Sequence, residues 1–154
     1  MRLRNTPQFA ACVTGKPVNF GGMPGRVEST ARGLHYAIQV FRRNGAITLP
    51  ERPTVLLEGF GNVGSNFAVL EEEFNVKVVG VLDQYGGVYH PHLPINQLMD
   101  YVAHHPQKTV AGFHEICRGD AIKNAEKLFS IRADIALPAA LEETITEKIA
   151  NILN

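Results

Sequence analysis

The sequence predicts an α/β fold in which a mainly parallel, doubly wound sheet carries helices on both faces, and three observations predict it. A short apolar run, Val55-Leu56-Leu57, gives way at Gly59-Phe60-Gly61-Asn62-Val63-Gly64 to apolar residues at helical spacing. A second apolar run, Val76 to Leu82, follows that helix and ends in Asp83. Beyond it, stretches of strand and helix character go on alternating, which is how βαβ units and a parallel sheet read in sequence.

In chain order, the first 27 residues hold Pro7, Pro17, Pro24 and several glycines, which punctuate them too often for a long helix, so they read as extended or loop structure. From residue 28 a helix is expected, with Leu34, Ala37, Ile38 and Phe41 as its apolar stripe and Asn44-Gly45 as its stop. A prolyl connector over 49–53 leads into a strand over 54–57. After the glycine turn, Val63, Phe67, Leu70 and Phe74 give the next helix, whose solvated end is Glu71-Glu72-Glu73. Past Asp83, Tyr85-Gly86-Gly87 and Val88-Tyr89-His90-Pro91 read as a turn and a short extended piece rather than a core strand. Pro94 suits the start of a helix lined by Ile95, Leu98, Met99 and Val102. A short strand is expected over 109–113, a helix over 121–129 and a third buried parallel strand over 133–137. Thr144 with Glu147 forms a capping box for a last helix that turns Ile149, Ile152 and Leu153 inward. The chain ends on that helix, where a doubly wound sheet would continue into another strand. We therefore expect sequence to be missing at the C-terminus; a compact natural domain is the alternative.

The glycine turn carries the chemistry. The first glycine lets the chain leave the strand sharply, the second keeps a side chain out from between backbone and phosphate, and the third lets the helix pack closely on the sheet. The helix N-terminus then offers unpaired N–H groups and the positive end of its dipole to an anion. A bare G-x-G-x-x-G is weak in a chain with 14 glycines, but strand, turn, helix, strand and acid stand here in order. Asp83 lies about twenty residues past the glycines, where a carboxylate accepts hydrogen bonds from the adenosine ribose of a dinucleotide. The bland alternative is a tight strand-to-helix turn and a solvated strand-end acid. Asp83 favours NAD over NADP, because a 2′-phosphate would meet like charge and neighbouring Gln84 and Tyr85 supply no cation.

At 154 residues the chain is one domain by length, and 45% apolar with 19% charged residues fits a folded protein with a core. Fifteen basic and 15 acidic residues cancel, so there is no electrostatic case for nucleic acid or a membrane surface, and a small-molecule partner is expected. Cys12 and Cys117 are far apart in no metal-type spacing, and no apolar h-region or membrane span follows the two early arginines. We expect a cytoplasmic protein with free thiols. His90-Pro91-His92 and His104-His105 lack metal-ligand spacing, so no metal site is expected, and no G-x-S-x-G elbow surrounds Ser65.

Two further segments narrow the class. Val13-Thr14-Gly15-Lys16-Pro17, with Gly21-Gly22, Gly25-Arg26 and Glu28-Ser29-Thr30-Ala31-Arg32-Gly33, resembles the "TGKP…GG…GR…EATGRG" run of the glutamate, leucine, phenylalanine and valine dehydrogenases. Gly59 to Gly64 is similar to that family's "GFGNVG", Asp83 with Gly86 to Tyr89 to its "SDS.GGIY", and Ala133 to Ala140 with Ile145-Thr146 to its "VDILIPAA…IT".

The resemblance implies one Rossmann-type NAD(P)-binding domain over 1–154: a loop-rich lead-in over 1–27, a helix over 28–44 and a dinucleotide-binding core over 54–154. It implies an enzyme that interconverts an L-amino acid, glutamate before others, and its 2-oxo acid, with hydride transfer to NAD(P). Thr30 would face the nicotinamide end, and Gly59, Phe60, Gly61, Asn62, Val63 and Gly64 would hold the pyrophosphate and ribose. Asp83 and Gln84 would meet the adenosine ribose, while Ala139 and Ala140 would line the groove. Thr30 also reads as an ordinary helix-start residue, and Ala139-Ala140 as tight packing. Met23 departs from the family's serine and Ala31 from its glycine.

The family's catalytic lysines belong to a substrate domain that would precede Met1. No catalytic residue is therefore assigned here, and the chain alone is expected to be inactive. The amino acid would bind through that missing domain, in a full-length homo-oligomer. A stand-alone NAD-sensing module is the alternative, against which Gly15 to Gly33 weighs, since a sensor has no reason to carry it.

Overall fold

The computed structural model describes residues 13–153. Cys12, Pro7 and the start of the lead-in, where the arginines stand, lie outside the described residues. Among the described residues of the lead-in, a short 3-10 turn at Val18–Phe20 interrupts what is otherwise loop.

Five strands form one sheet: β1 (Thr54–Glu58), β2 (Lys77–Asp83), β3 (Gly86–Tyr89), β4 (Asp120–Ile122) and β5 (Ile135–Pro138), in the order β4-β3-β2-β1-β5. β1 pairs parallel with both β2 and β5, while β3 runs antiparallel to both β2 and β4. Four strands thus point one way, and β3 alone opposes them. The helices are α1 (Ser29–Arg43), α2 (Asn62–Val69), α3 (Ile95–His104), α4 (Phe113–Cys117), α5 (Ala125–Phe129) and α6 (Glu147–Ala150).

Both faces of the sheet are covered, as the apolar runs require. On one, Val55, Leu57, Val78, Val81 and Val88 pack with Ala31 of α1, Phe67 of α2, Leu98 of α3 and Phe113 of α4. On the other, Leu56, Val79 and Leu82 pack with Leu128 and Phe129 of α5 and Ile149 of α6. The pairing of β1 with β2 slips by one residue, from Val55 opposite Val78 to Leu56 opposite Gly80. That slip explains how Val78 and Val81, three apart, reach the same face of a period-two strand.

Several local expectations are corrected. Gly86–Tyr89 is a core strand, with Val88 fully buried, joined to β2 by the two-residue loop Gln84-Tyr85. Its glycines read as a turn, but Gly87 is needed because a Cβ there would lie 2.2 Å from the Val81 carbonyl oxygen. Residues 109–113 form no strand; Thr109 and Val110 are buried in a turn held by Asp83. The expected helix over 121–129 begins as β4, and only Ala125–Phe129 is helical, because Asn124 caps it by accepting the Lys127 N–H at 2.9 Å.

The last helix is capped by Thr146, not Thr144, and is four residues long. In α1 the inward residues are Ala31 and His35, with Leu34 and Ile38 half-buried, whereas Phe41 is exposed. Glu71 to Glu73 are not simply solvated. Glu71 accepts the Val78 N–H at 2.8 Å, Glu72 pairs with Arg52, and Glu73 pairs with Arg32.

Candidate functional site

The parallel strands end together at one edge of the sheet, and there β1 and β5 diverge into separate loops. In an open α/β sheet this is where a ligand crevice forms. The crevice is present as a cavity of about 660 Å³. Its walls include Glu58, Gly59 to Val63, Asp83 to Tyr85, Gln107, Lys108, Ala139, Ala140 and Thr144.

The glycine loop is built backbone against backbone. Gly59 has φ of +99°, a region L side chains rarely enter, and a Cβ there would lie 2.7 Å from the Ala139 carbonyl oxygen. A Cβ on Gly64 would lie 1.9 Å from the Gly59 carbonyl oxygen, so this glycine lets α2 close onto the strand end. Gly61 differs, for nothing stands within 4 Å of its would-be Cβ. That open space belongs to the cavity, at the N-terminus of α2, whose first N–H groups have no partner within the helix. The loop therefore presents donors and a dipole end across a gap that no side chain fills. These residues fit a dinucleotide pyrophosphate.

Asp83 is fixed from two sides. Its Oδ2 accepts from the Thr109 hydroxyl at 2.7 Å and the Val110 N–H at 2.8 Å, and its Oδ1 accepts from the Tyr85 N–H at 2.9 Å. A carboxylate offers about four lone-pair sites, so with three taken there is capacity for one more hydroxyl. Asn62 donates from Nδ2 to the Val27 carbonyl at 3.3 Å, tying α2 to the segment before α1.

Of the residues singled out from sequence, Gly59, Phe60, Gly61, Asn62, Val63, Asp83, Gln84, Ala139 and Ala140 line this one cavity. Gly64 packs behind it. Thr30 is exposed in the first turn of α1 and does not line it. Met23 is 75% exposed, while Ala31 is buried.

Among the wall residues that escaped sequence reasoning are Glu58, Lys108 and Thr144. Glu58 could have been noticed, since it breaks an apolar strand immediately before the turn. Lys108 could not, because it arrives from the loop after α3 with no motif around it. Its ammonium donates to the Ala103 carbonyl. Burial pushes the Glu58 carboxyl above its ordinary pKa, while the Thr144 hydroxyl beside it pulls the other way. Among the described residues there is no group of three or more His, Cys, Asp or Glu that could hold a metal ion, and no helix long and apolar enough to cross a membrane.

Known proteins resemble this chain in sequence and in fold. The chain is 36% identical over 148 residues to the cryptic catabolic NAD-specific glutamate dehydrogenase GudB of Bacillus subtilis, covering 96% of this chain and 32% of that protein. It is 40% identical over 135 residues to the glutamate dehydrogenase of Thermotoga maritima, covering 86% and 31%. Among solved structures, the hetero-hexameric glutamate dehydrogenase of Thermus thermophilus in its Leu-bound form superposes with a TM-score of 0.76 at 26% identity, over 94% of this chain and 32% of that one. The chain thus spans about a third of the length of these relatives. Residues 21–154 match the Glutamate/Leucine/Phenylalanine/Valine dehydrogenase family, and the chain belongs to it.

Proposed function

We propose that this chain is the dinucleotide-binding part of an amino-acid dehydrogenase, acting on glutamate and preferring NAD to NADP. The carrying observation is the crevice at the strand ends, where an open Gly61 and the start of α2 face Asp83 across one cavity. Asn62 and Val63 would offer their N–H groups to the pyrophosphate, and Asp83 would accept from the adenosine ribose. Gln84 lies beside Asp83, and Ala139 and Ala140 would flank the ring end of the cofactor. Thr30 is assigned to that same end on family resemblance alone. The bound nicotinamide would supply the hydride acceptor. Substrate binding and proton transfer would fall to residues outside this chain, in a cytoplasmic, oligomeric protein.

Two considerations bear on cofactor choice. Asp83 disfavours a 2′-phosphate, and relatives named NAD-specific point the same way. Lys108, however, brings a positive charge to the same cavity and reduces the electrostatic penalty that Asp83 imposes on NADP. We keep NAD as the preferred cofactor and expect the margin to be smaller than Asp83 alone dictates.

Calorimetric titration with NAD and NADP tests the reading, with tighter NAD binding expected; equal or tighter NADP binding would overturn the preference. Gly61→Ala should leave the fold intact and weaken NADH binding, since its methyl group would project into open cavity. The chain on its own should reduce no NAD with any L-amino acid, and turnover in a clean preparation would show that the catalytic groups are present here after all.

A further inference from the structure

Glu58 stands where a carboxyl is least comfortable. It is the last residue of β1, its main chain pairing Leu82 on one side and Pro138 on the other, and its carbonyl accepts the Ala139 N–H at 2.7 Å. The strand carries on directly into Gly59, so the Glu58 backbone is continuous with the glycine loop. Its side chain lines the dinucleotide cavity, and its Oε2 is buried with no hydrogen-bond partner. An orphaned carboxylate oxygen in such a place is costly, whereas a neutral carboxyl can donate.

Among the described residues no cation forms an ion pair with it. From β2 and its loop come Asp83, already engaged by Thr109, Val110 and Tyr85, and the phenol of Tyr85 itself. From the loop after α3 comes Lys108, bonded to the Ala103 carbonyl. After β5 the loop supplies Thr144, preceded by exposed Glu142 and Glu143. On the face below, Glu126 of α5 and Lys148 of α6 pair with each other at 2.7 Å.

A dinucleotide entering this cavity brings two phosphate charges toward the loop that Glu58 supports. Carboxylate and pyrophosphate would then repel, and the repulsion vanishes if the carboxylate takes a proton from solvent. We propose that dinucleotide binding is linked to protonation of Glu58, whose neutral carboxyl donates a hydrogen bond to an oxygen of the bound cofactor. No other bond forms or breaks. This rests on the dinucleotide reading above and gives that site a proton dependence of its own. Burial of the carboxyl raises its pKa, the direction this linkage needs, while the Thr144 hydroxyl opposes it.

The test is NADH titration of the protein by calorimetry, in two buffers of different ionisation heat, from pH 5.5 to 8.5. The wild-type protein should take up a fraction of a proton on binding, and its affinity should fall by up to about tenfold per pH unit above the carboxyl's titration. Glu58→Gln should bind NADH with no proton uptake, with flat affinity across the range, and more tightly than wild type at pH 8.5. Wild-type binding with no proton uptake overturns the proposal without any variant. Wild-type uptake retained in Glu58→Gln overturns it too, by placing the proton on another group. Failure of the wild-type protein to bind NADH at any pH removes the dinucleotide reading itself, and this inference with it.

Discussion

His35 is buried to 1% exposure between the rings of Phe67, at 3.8 Å, and Phe74, at 4.3 Å, with Nε2 against the Phe67 carbonyl at 3.1 Å and Nδ1 without a partner. Burial lowers its pKa first of all; the Phe67 carbonyl and Glu73 pull it back up, and Arg32 adds to the lowering. The folded protein therefore holds this ring neutral, while the unfolded chain takes a proton near pH 6.5. The resulting stability is fully present above that value and is lost as pH falls toward the folded pKa. Urea midpoints measured from pH 8 down to pH 5 should decline, and His35→Phe should flatten the part of the decline that this ring causes. An unchanged slope in the variant would exclude His35 as the source. At the same scale, Gly64→Ala drives a methyl group into the Gly59 carbonyl, and overpacking of this kind costs about 1–3 kcal/mol. A lowered urea midpoint checks it, against a near-unchanged midpoint for Gly61→Ala.

At the level of elements, the ends of helices show where sequence reasoning works and where it stops. Thr144 and Glu147 match the capping-box spacing, yet Thr146 Oγ1 is the acceptor for the Ile149 N–H, at 3.4 Å. Both threonines fit a cap by composition; only the backbone path after Ala140 decides between them, and Thr144 is drawn instead to Glu58. Thr146→Ala should cost about 1 kcal/mol in a denaturation experiment, and Thr144→Ala less. The long apolar runs of β1 and β2 and the glycine turn between them were legible because burial and close approach each demand particular residue types. β3 and β4 were not, since a four-residue strand rich in glycine and a three-residue edge strand carry little periodicity. Thr109 and Val110 reach the site only because β2 and the loop after α3 meet in space. Lys108 enters the cavity by that same route.

Across the molecule, among the described residues, the sheet is well covered while the end of the lead-in and the outer side of α1 are not. Val18, Phe20, Met23 and Val27 are 61–75% exposed, and Tyr36, Val40 and Phe41 about half exposed. Side chains that bury so little contribute little to this chain's stability. Phe20→Ser with Met23→Ser should change the unfolding free energy from urea titration by no more than about 0.5 kcal/mol while improving solubility, and a larger loss would show that these residues pack after all. The extra residue in β2 acts on this same scale, on charge. Because Glu58 stands opposite Leu82 rather than Val81, Asp83 falls on the opposite side of the sheet from Glu58. Asp83 meets the Thr109-Val110 turn on one side and Glu58 meets Thr144 on the other. With unbroken register both acids would leave the sheet on the same side and repel at the mouth of the cavity. A single inserted residue thus lets two acids share one cavity, with the sheet itself as the partition between them.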